Sequence, residues 1–452
     1  MRQPTPKLHR AARIAAIRLG ALGAGALCAA AASGQGLDAY VAKATPCFNW
    51  KRCEQKPVET WGTLTHLEMV SQRWRGQFWS HHLLVLRPNR PRNPDIALLF
   101  ITGGSYGAPK EKDLGFFKLW AQQAGAMVAV LNKVPNQPLY DGRREDALIA
   151  YTFKQFIKTG EPDWPLLLPM TKSAVRAMDA LQQFAKQEWN QNVRRFVVSG
   201  ASKRGWTTWL TAAVDRRVAA IAPMVIDMLN MKAQLQWAEK VWGTQSEQIH
   251  DYTEMGLDKK IDHPGVVQIR QWVDPYSYRA RYTMPKLILL GTNDPYWVVD
   301  ALRNYWNGLP EPKLVCQTPN AGHGLGDGRK AAAAIAAFFE MVADRKPIPS
   351  MQWKIQRRSD AARMTVRVRP DAKAFRVWTA ESTEDRDFRD EKWTSAPLRR
   401  GPTAEAKALV KAPSAGWRAF LVEAQMRSPR GLPYTLSTEA CVVPDTLPEQ
   451  NR

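Results

Sequence analysis

The chain has 452 residues, a formal charge of +22 and 45% hydrophobic residues, with 18 tryptophans. The length exceeds one core of ordinary size and suggests two domains, while the apolar content excludes a disordered chain. The positive excess suits anionic partners such as envelope components, but no nucleic-acid-binding motif or concentrated basic stripe occurs, so nucleic acid is not expected.

Taken in chain order, the first segment reads as a targeting signal. Arg2, Lys7, Arg10, Arg13 and Arg18 precede any Asp or Glu, and these five charges leave +17 on the rest of the chain. The run from Leu19 to Ala32 is apolar over 14 residues and ends among small residues. That is the layout of a cleaved signal peptide, and it is shorter than the ~20 residues a membrane-spanning helix needs. The expectation is a signal over residues 1–34 and an exported protein, periplasmic or secreted, not integral to the membrane. With Cys28 in the signal, Cys47, Cys53, Cys316 and Cys441 remain. An even count in an exported chain favours disulfides, Cys47 with Cys53 and Cys316 with Cys441, with buried free thiols as the alternative. No CxxC or HxxxH accompanies them, so neither zinc nor another cofactor is expected.

Apolar runs of strand length follow at 95–101, 126–132, 194–200, 219–226, 286–291 and 313–319, with helical patterns at 169–187 and 328–345. Near-continuous apolarity marks strands covered on both faces, and the alternation predicts a mostly parallel α/β sheet. The Trp- and Gln-rich stretch at about 227–278 reads as a helical lid inserted over the end of the sheet. Its aromatics Trp237, Trp242 and Tyr252 read as core or as a substrate platform. After residue 348 the pattern alternates in the β manner, predicting a β-rich, sandwich-like domain over 349–452 behind an α/β domain over 35–348.

The chemistry centres on FVVSGASKRGWTTWL, where a strand, a tight turn and a helix follow one another. That context suits a nucleophile elbow, with Ser202 as nucleophile and Gly200 two residues before it. Arg204 stands where a glycine is usual, and Gly205 comes one residue later. Asp294 follows the run 286–291 in a turn closed by Pro295, and His323 follows 313–319 between glycines. The order Ser202, Asp294, His323 is the one an α/β-hydrolase triad requires. Asp294 is preferred to Asp274 and Asp300 because it directly follows a strand. FITGGSYG offers Gly103 and Gly104 as an oxyanion hole, with the Lys203 N–H as the second donor. Asn132, Lys133, Asn136 and Gln137 either line a pocket or fix a long loop through their own hydrogen bonds.

These motifs resemble the PhoPQ-activated pathogenicity-related protein family from about Asp38 to Pro444. The resemblance rests on SQRWRGQFWSHHLLVLRP, FITGGS, LNKVPNQPL, SGASKRGWTTWL, DPYSYR, GTNDPYWVVDALRNYW, NAGHGL and VWTAESTEDRDFR. It implies an exported α/β-hydrolase-like protein, the triad Ser202, Asp294 and His323, and Ser-Lys-Arg-Gly as the elbow of the family. The elbow is also similar to that of glucuronoyl esterases, where a basic residue follows the nucleophile and an acidic sugar ester is cut; Arg204 is therefore a candidate substrate contact. The expected function is a serine hydrolase acting on an ester or peptide-like carbonyl of a small molecule, peptide or glycan. A non-catalytic binding or signalling protein on the same scaffold is the alternative.

Overall fold

In the computed structural model the described residues are 35–104, 114–401 and 405–448. The expected signal segment and Ser105 to Gly107 of the Gly-rich run lie outside them.

After helix α1 (Leu37–Ala42), strands β1 (Asn49–Val58), β2 (Gly62–Trp74) and β3 (Gln77–Pro88) pair antiparallel and lead to β4 (Ile96–Ile101). Helix α2 (Gly115–Ala124), β5 (Met127–Leu131), α3 (Glu145–Thr159), α4 (Leu167–Trp189), β6 (Arg195–Ala201), α5 (Lys203–Val214) and β7 (Val218–Met224) follow. The order β2-β3-β5-β4-β6-β7-β8-β9, completed by β8 (Lys286–Gly291) and β9 (Lys313–Thr318), has β3 antiparallel to β5 and every later neighbour parallel. This is the α/β-hydrolase fold. All six strands anticipated from apolar runs form, each within two residues of its expected ends.

The apolar runs are explained by the two cores. Along β4, Ala97, Leu99 and Ile101 point to the core shared with α3, α4 and α5, while Ile96 and Leu98 point to the opposite core. With both faces covered, neither set of alternate residues can be polar. The second core is closed by Trp120 of α2 and by Ile335, Phe338 and Phe339 of α9 (Arg329–Ala343).

Between β7 and β8 the expected helical lid is present as α6 (Met231–Trp242), α7 (His250–Thr253) and α8 (Pro264–Val273). Beyond α9 the chain is all strand: β10 (Ser350–Arg357), β11 (Ala361–Arg369), β12 (Ala374–Ser382), β13 (Thr394–Leu398), β14 (Glu405–Lys411), β15 (Trp417–Arg427), β16 (Pro433–Ser437) and β17 (Cys441–Val443). Strands β16, β15, β12 and β13 continue the central sheet, joined to it by the pairing of Ser437 with Val315. Strands β10, β11 and β14 form a second sheet whose Met364, Val366 and Ala408 enter the same core as α9. Residues Gln35–Arg452 accordingly form one compact unit.

The expected disulfides do not form; all four described cysteines are free. The extended run from Asn49 carries Cys53 roughly 13 Å along β1, beyond the ~7 Å Cα separation that a bridge tolerates. Cys316 Sγ lies 3.8 Å from Thr435 Oγ1, whereas Cys441 Sγ faces the Val442 carbonyl. Among the described residues no helix is long and apolar enough to cross a membrane.

Candidate active site

Strand β6 turns into α5 at Ser202, whose φ of 56° and ψ of −126° place an L-residue in a strained conformation. A serine at a helix N-cap ordinarily bonds the first free N–H groups; here the side chain makes no capping bond. The hydroxyl is left for other work. A Cβ on Gly200 would lie 2.8 Å from the Arg204 carbonyl, and one on Gly205 would lie 2.8 Å from both Ile226 and the Met224 carbonyl. The close approach of helix to strand therefore falls on the third residue after Ser202. Arg204 is tolerated because its side chain leaves the contact. Nε donates to the Val134 carbonyl at 2.6 Å, and the guanidinium pairs bidentately with Glu145 at 2.6 and 2.7 Å. Offered by the sequence as a substrate contact, Arg204 is buried and fully committed to the loop.

Asp294 follows β8 and His323 follows β9. His323 Nδ1 lies 2.9 and 3.1 Å from the two carboxylate oxygens of Asp294. Facing an acceptor, Nδ1 carries the proton, which leaves Nε2 as the basic nitrogen. Nε2 is shielded from water and has no hydrogen-bond partner among the described residues. The Tyr296 ring covers the imidazole at 4.3 Å, and the Tyr296 N–H donates to Asp294.

Both loops are clamped by the connection between β12 and β13. Asn293 Nδ2 donates to the carbonyls of Phe388, Arg389 and Glu391, and Asn320 exchanges two hydrogen bonds with the Trp393 backbone. Arg386, fully buried, pairs with Asp300 at 2.8 Å, and Asp300 also accepts from Trp237 of the lid. Burial alone would raise the carboxyl of Asp300; the neighbouring Arg386 and Arg303 hold it below the usual range.

The Gly-rich loop leaves β4 beside the Asn132–Gln137 loop, and the two are zipped by bonds from Lys133 N–H to Gly103 O and from Val134 N–H to Thr102 O. Gly104 has φ of 100°, and a Cβ on Gly103 would collide with the Arg204 guanidinium. Asn132, Lys133, Asn136 and Gln137 are all buried. Lys133 donates to Ser80 Oγ, Asn136 bonds Ser80 and the Lys133 carbonyl, and Gln137 brackets Glu145. Of the two readings left open, these contacts fit loop fixation. Lys203 stands at the first position of α5, where its N–H has no intrahelical acceptor.

A cavity of about 120 Å³ opens between the elbow and the lid, with Ser202 and Lys203 in its wall. Phe153, Trp206, Ile226, Met231, Leu257 and Ile269 make it predominantly apolar. Of the three lid aromatics, Tyr252 lines the cavity, whereas Trp237 bonds Asp300 and Trp242 stacks on Arg389.

Three residues not anticipated from the sequence belong to this constellation. Asp146 takes Lys203 Nζ at 2.6 Å and the hydroxyls of Tyr252 and Tyr296 at 2.9 and 3.4 Å. Its signal was an acidic pair, Glu145-Asp146, opening a helix. Tyr296 was visible only as a neighbour of Asp294. Asp227, just past β7, is buried with Oδ1 unpartnered, and burial, with the Asp294 and Asp300 charges adding to it, pushes its carboxyl up to about 7. Among the described residues no three His, Cys, Asp or Glu side chains are grouped as metal ligands.

A family model described as PhoPQ-activated pathogenicity-related protein matches residues 37–389. Autocrine proliferation repressor protein A of Dictyostelium discoideum is 33% identical over 454 residues, covering 91% of this chain and 91% of that protein. Among solved structures, acetyl xylan esterase 1 from Thermoanaerobacterium sp. JW/SL YS485 superposes with a TM-score of 0.45 at 15% identity, over 65% of this chain and 88% of that one. A glucuronoyl esterase from Solibacter usitatus gives 0.40 at 13% identity, over 66% and 87%.

Proposed function

The chain belongs to the PhoPQ-activated pathogenicity-related protein family, and from that premise we propose that it is a serine hydrolase that cleaves esters through Ser202, His323 and Asp294. One observation carries the reading: a strained elbow serine with an unused hydroxyl stands past the carboxyl end of one strand of the parallel sheet, and past the carboxyl end of another stands a histidine whose Nδ1 is fixed by a carboxylate and whose Nε2 is idle.

In this mechanism Ser202 Oγ attacks the ester carbonyl and its proton passes to His323 Nε2. Asp294 holds the imidazole in the required tautomer and stabilises its charge. The N–H groups of Lys203 and of Gly103 or Gly104 receive the developing oxyanion. The carbon–oxygen bond to the alcohol breaks, the alcohol leaves with the proton from His323, and an acyl-serine remains. Water, activated by the same imidazole, then releases the acid and restores Ser202. Export, supported by the N-terminal residues, puts this reaction outside the cytoplasm.

The test is labelling of the mature protein with a fluorophosphonate beside Ser202→Ala and His323→Ala, followed by turnover of 4-nitrophenyl acyl esters. Labelling of the wild type at Ser202, lost in Ser202→Ala, is expected. A folded wild type that neither labels nor turns over any acyl ester overturns the reading. That result favours the second reading, a binding or signalling protein on this scaffold. Its support is the name of the Dictyostelium relative and a Ser202 hydroxyl with no bond to His323. In that case Ser202→Ala retains the biological effect.

A further inference from the structure

The geometry points to an uncharged, apolar acyl group as the substrate of the cavity beside Ser202, with Asp146 enforcing that choice by neutralising Lys203. This rests on the serine-hydrolase reading and concerns which half of the ester the cavity takes.

The two basic residues after the nucleophile invite an acidic substrate, yet neither is available to one. Arg204 is held bidentately by Glu145. Lys203 Nζ lies 2.6 Å from Asp146 and 3.9 Å from Glu145, so two cations face two carboxylates. Burial, with Asp146 adding to it, pushes the hydroxyls of Tyr252 and Tyr296 up, so both remain donors that fix the same carboxylate in place. Among the described residues the other charged groups in the cavity wall are Asp258 and Arg270. Arg270 donates to the Ile261 carbonyl, while Asp258 Oδ1 is buried and unpartnered. Among the described residues the wall therefore sets two acids against two cations, and the cation next to Ser202, Lys203, is already paired with Asp146.

Apart from Ser202, Gln234 and Thr253 the remaining wall is aliphatic and aromatic, and burying such surface against an acyl chain is favourable at roughly 25 cal/mol per Å². The volume sets the size. A dry cavity of about 150 Å³ holds one benzene, so about 120 Å³ has room for a short acyl chain or a single ring.

The experiment compares 4-nitrophenyl valerate with 4-nitrophenyl hemisuccinate, whose acyl groups are nearly the same size and differ by one carboxylate. Both release nitrophenol by the same ester hydrolysis. The wild type is expected to favour valerate in kcat/KM by ~100-fold or more, since like charges brought together in a dry site cost several tens-fold in rate and upward. Asp146→Asn frees Lys203 and is expected to shrink that ratio at least ~10-fold, chiefly through hemisuccinate KM. A wild type that cleaves the two within ~3-fold overturns the inference, and this arm needs no variant. A folded Asp146→Asn with an unchanged ratio overturns the role of Asp146. Ser202 labelling by fluorophosphonate without valerate turnover overturns the substrate class alone; loss of labelling and turnover together overturns the hydrolase reading beneath it.

Discussion

Among the described residues two serine–histidine combinations stand out, and the hydrogen-bonded one is not the proposed catalyst. Ser71 of β2 lies 2.8 Å from His81 Nε2 of β3, a finished hydrogen bond, and His81 Nδ1 donates to the Asn132 carbonyl at 3.1 Å. Both residues are buried and no carboxylate touches the ring. Burial, with Lys133 and His82 adding to it, pushes the imidazole down to about 3, so it stays neutral and acts as a strut for the Asn132–Gln137 loop. Ser202 and His323 make no such bond, yet His323 has its carboxylate and Ser202 faces a cavity. On the proposed reading, a hydrogen bond between the two residue types does not mark the catalytic pair. Access and the third group distinguish the sites.

The largest effect that breaks or upholds this contrast is on rate. Ser202→Ala or His323→Ala is expected to lower ester kcat/KM by ~10⁴-fold or more, and Asp294→Asn by ~10³–10⁴-fold. Steady-state assays on variants with unchanged melting temperatures measure both. Comparable losses in His81→Gln would erase the distinction drawn above.

The next effect concerns what holds each pair. The buried pair is carried by adjacent strands of one antiparallel ribbon, but the Asp294 and His323 loops lean on the segment Arg386 to Trp393. Arg386→Ala leaves Asp300 as a buried charge with weaker compensation, which is expected to cost about 3–5 kcal/mol in urea unfolding. Replacing both, as Asp300→Asn with Arg386→Met, is expected to recover at least half of that, since breaking a buried pair costs more than removing it. If Arg386→Ala lowers stability and leaves kcat/KM untouched, the C-terminal clamp serves the fold and not the site.

How much of this was legible follows the same division between contacts close in sequence pattern and contacts made by packing. Strands β4 to β9 announced themselves because burial on both faces demands apolar runs. Strand β1 did not, since most of its residues are exposed and carry Lys, Arg and Glu. The positions of Ser202, Asp294 and His323 just past β6, β8 and β9 were readable from the apolar runs before them. Glu145 and Asp146 were not, because a pairing such as Arg204 with Glu145 spans 59 residues and depends on how one loop folds back. The cysteine count failed for a related reason: parity says nothing of whether two strands bring Sγ atoms together.

A smaller effect is read from pH. The folded-state value of His81, about 3, lies below the unfolded ~6.5, so the unfolded chain binds the extra proton and stability falls as pH drops through that window. Asp227 and Asp274, raised by burial, carry the opposite slope. The comparison must therefore be the difference between wild type and His81→Gln. Between pH 7 and pH 5 the wild type is expected to lose about 2 kcal/mol relative to the variant. A difference independent of pH would mean that His81 is solvated or charged in the folded chain.

Ser71→Ala is the smallest change and the most direct probe of the contrast. It removes the donor to His81 Nε2 without altering the acid, the cavity or the elbow, and alanine fills nearly the same space. A buried acceptor left without its donor costs about 1–2 kcal/mol. That loss should appear in urea unfolding with an unchanged slope. Because His81 reaches the site through the backbone of Asn132 and Lys133, and the loop keeps its bonds to Ser80, Gly103 and Glu145, ester kcat/KM is expected to stay within ~3-fold of wild type, about 0.7 kcal/mol. A loss of activity far beyond the loss of stability would show that the strut sets the position of the Gly-rich loop, and with it the oxyanion donors. The buried pair would then be part of the catalytic apparatus after all, through the backbone and not through its serine.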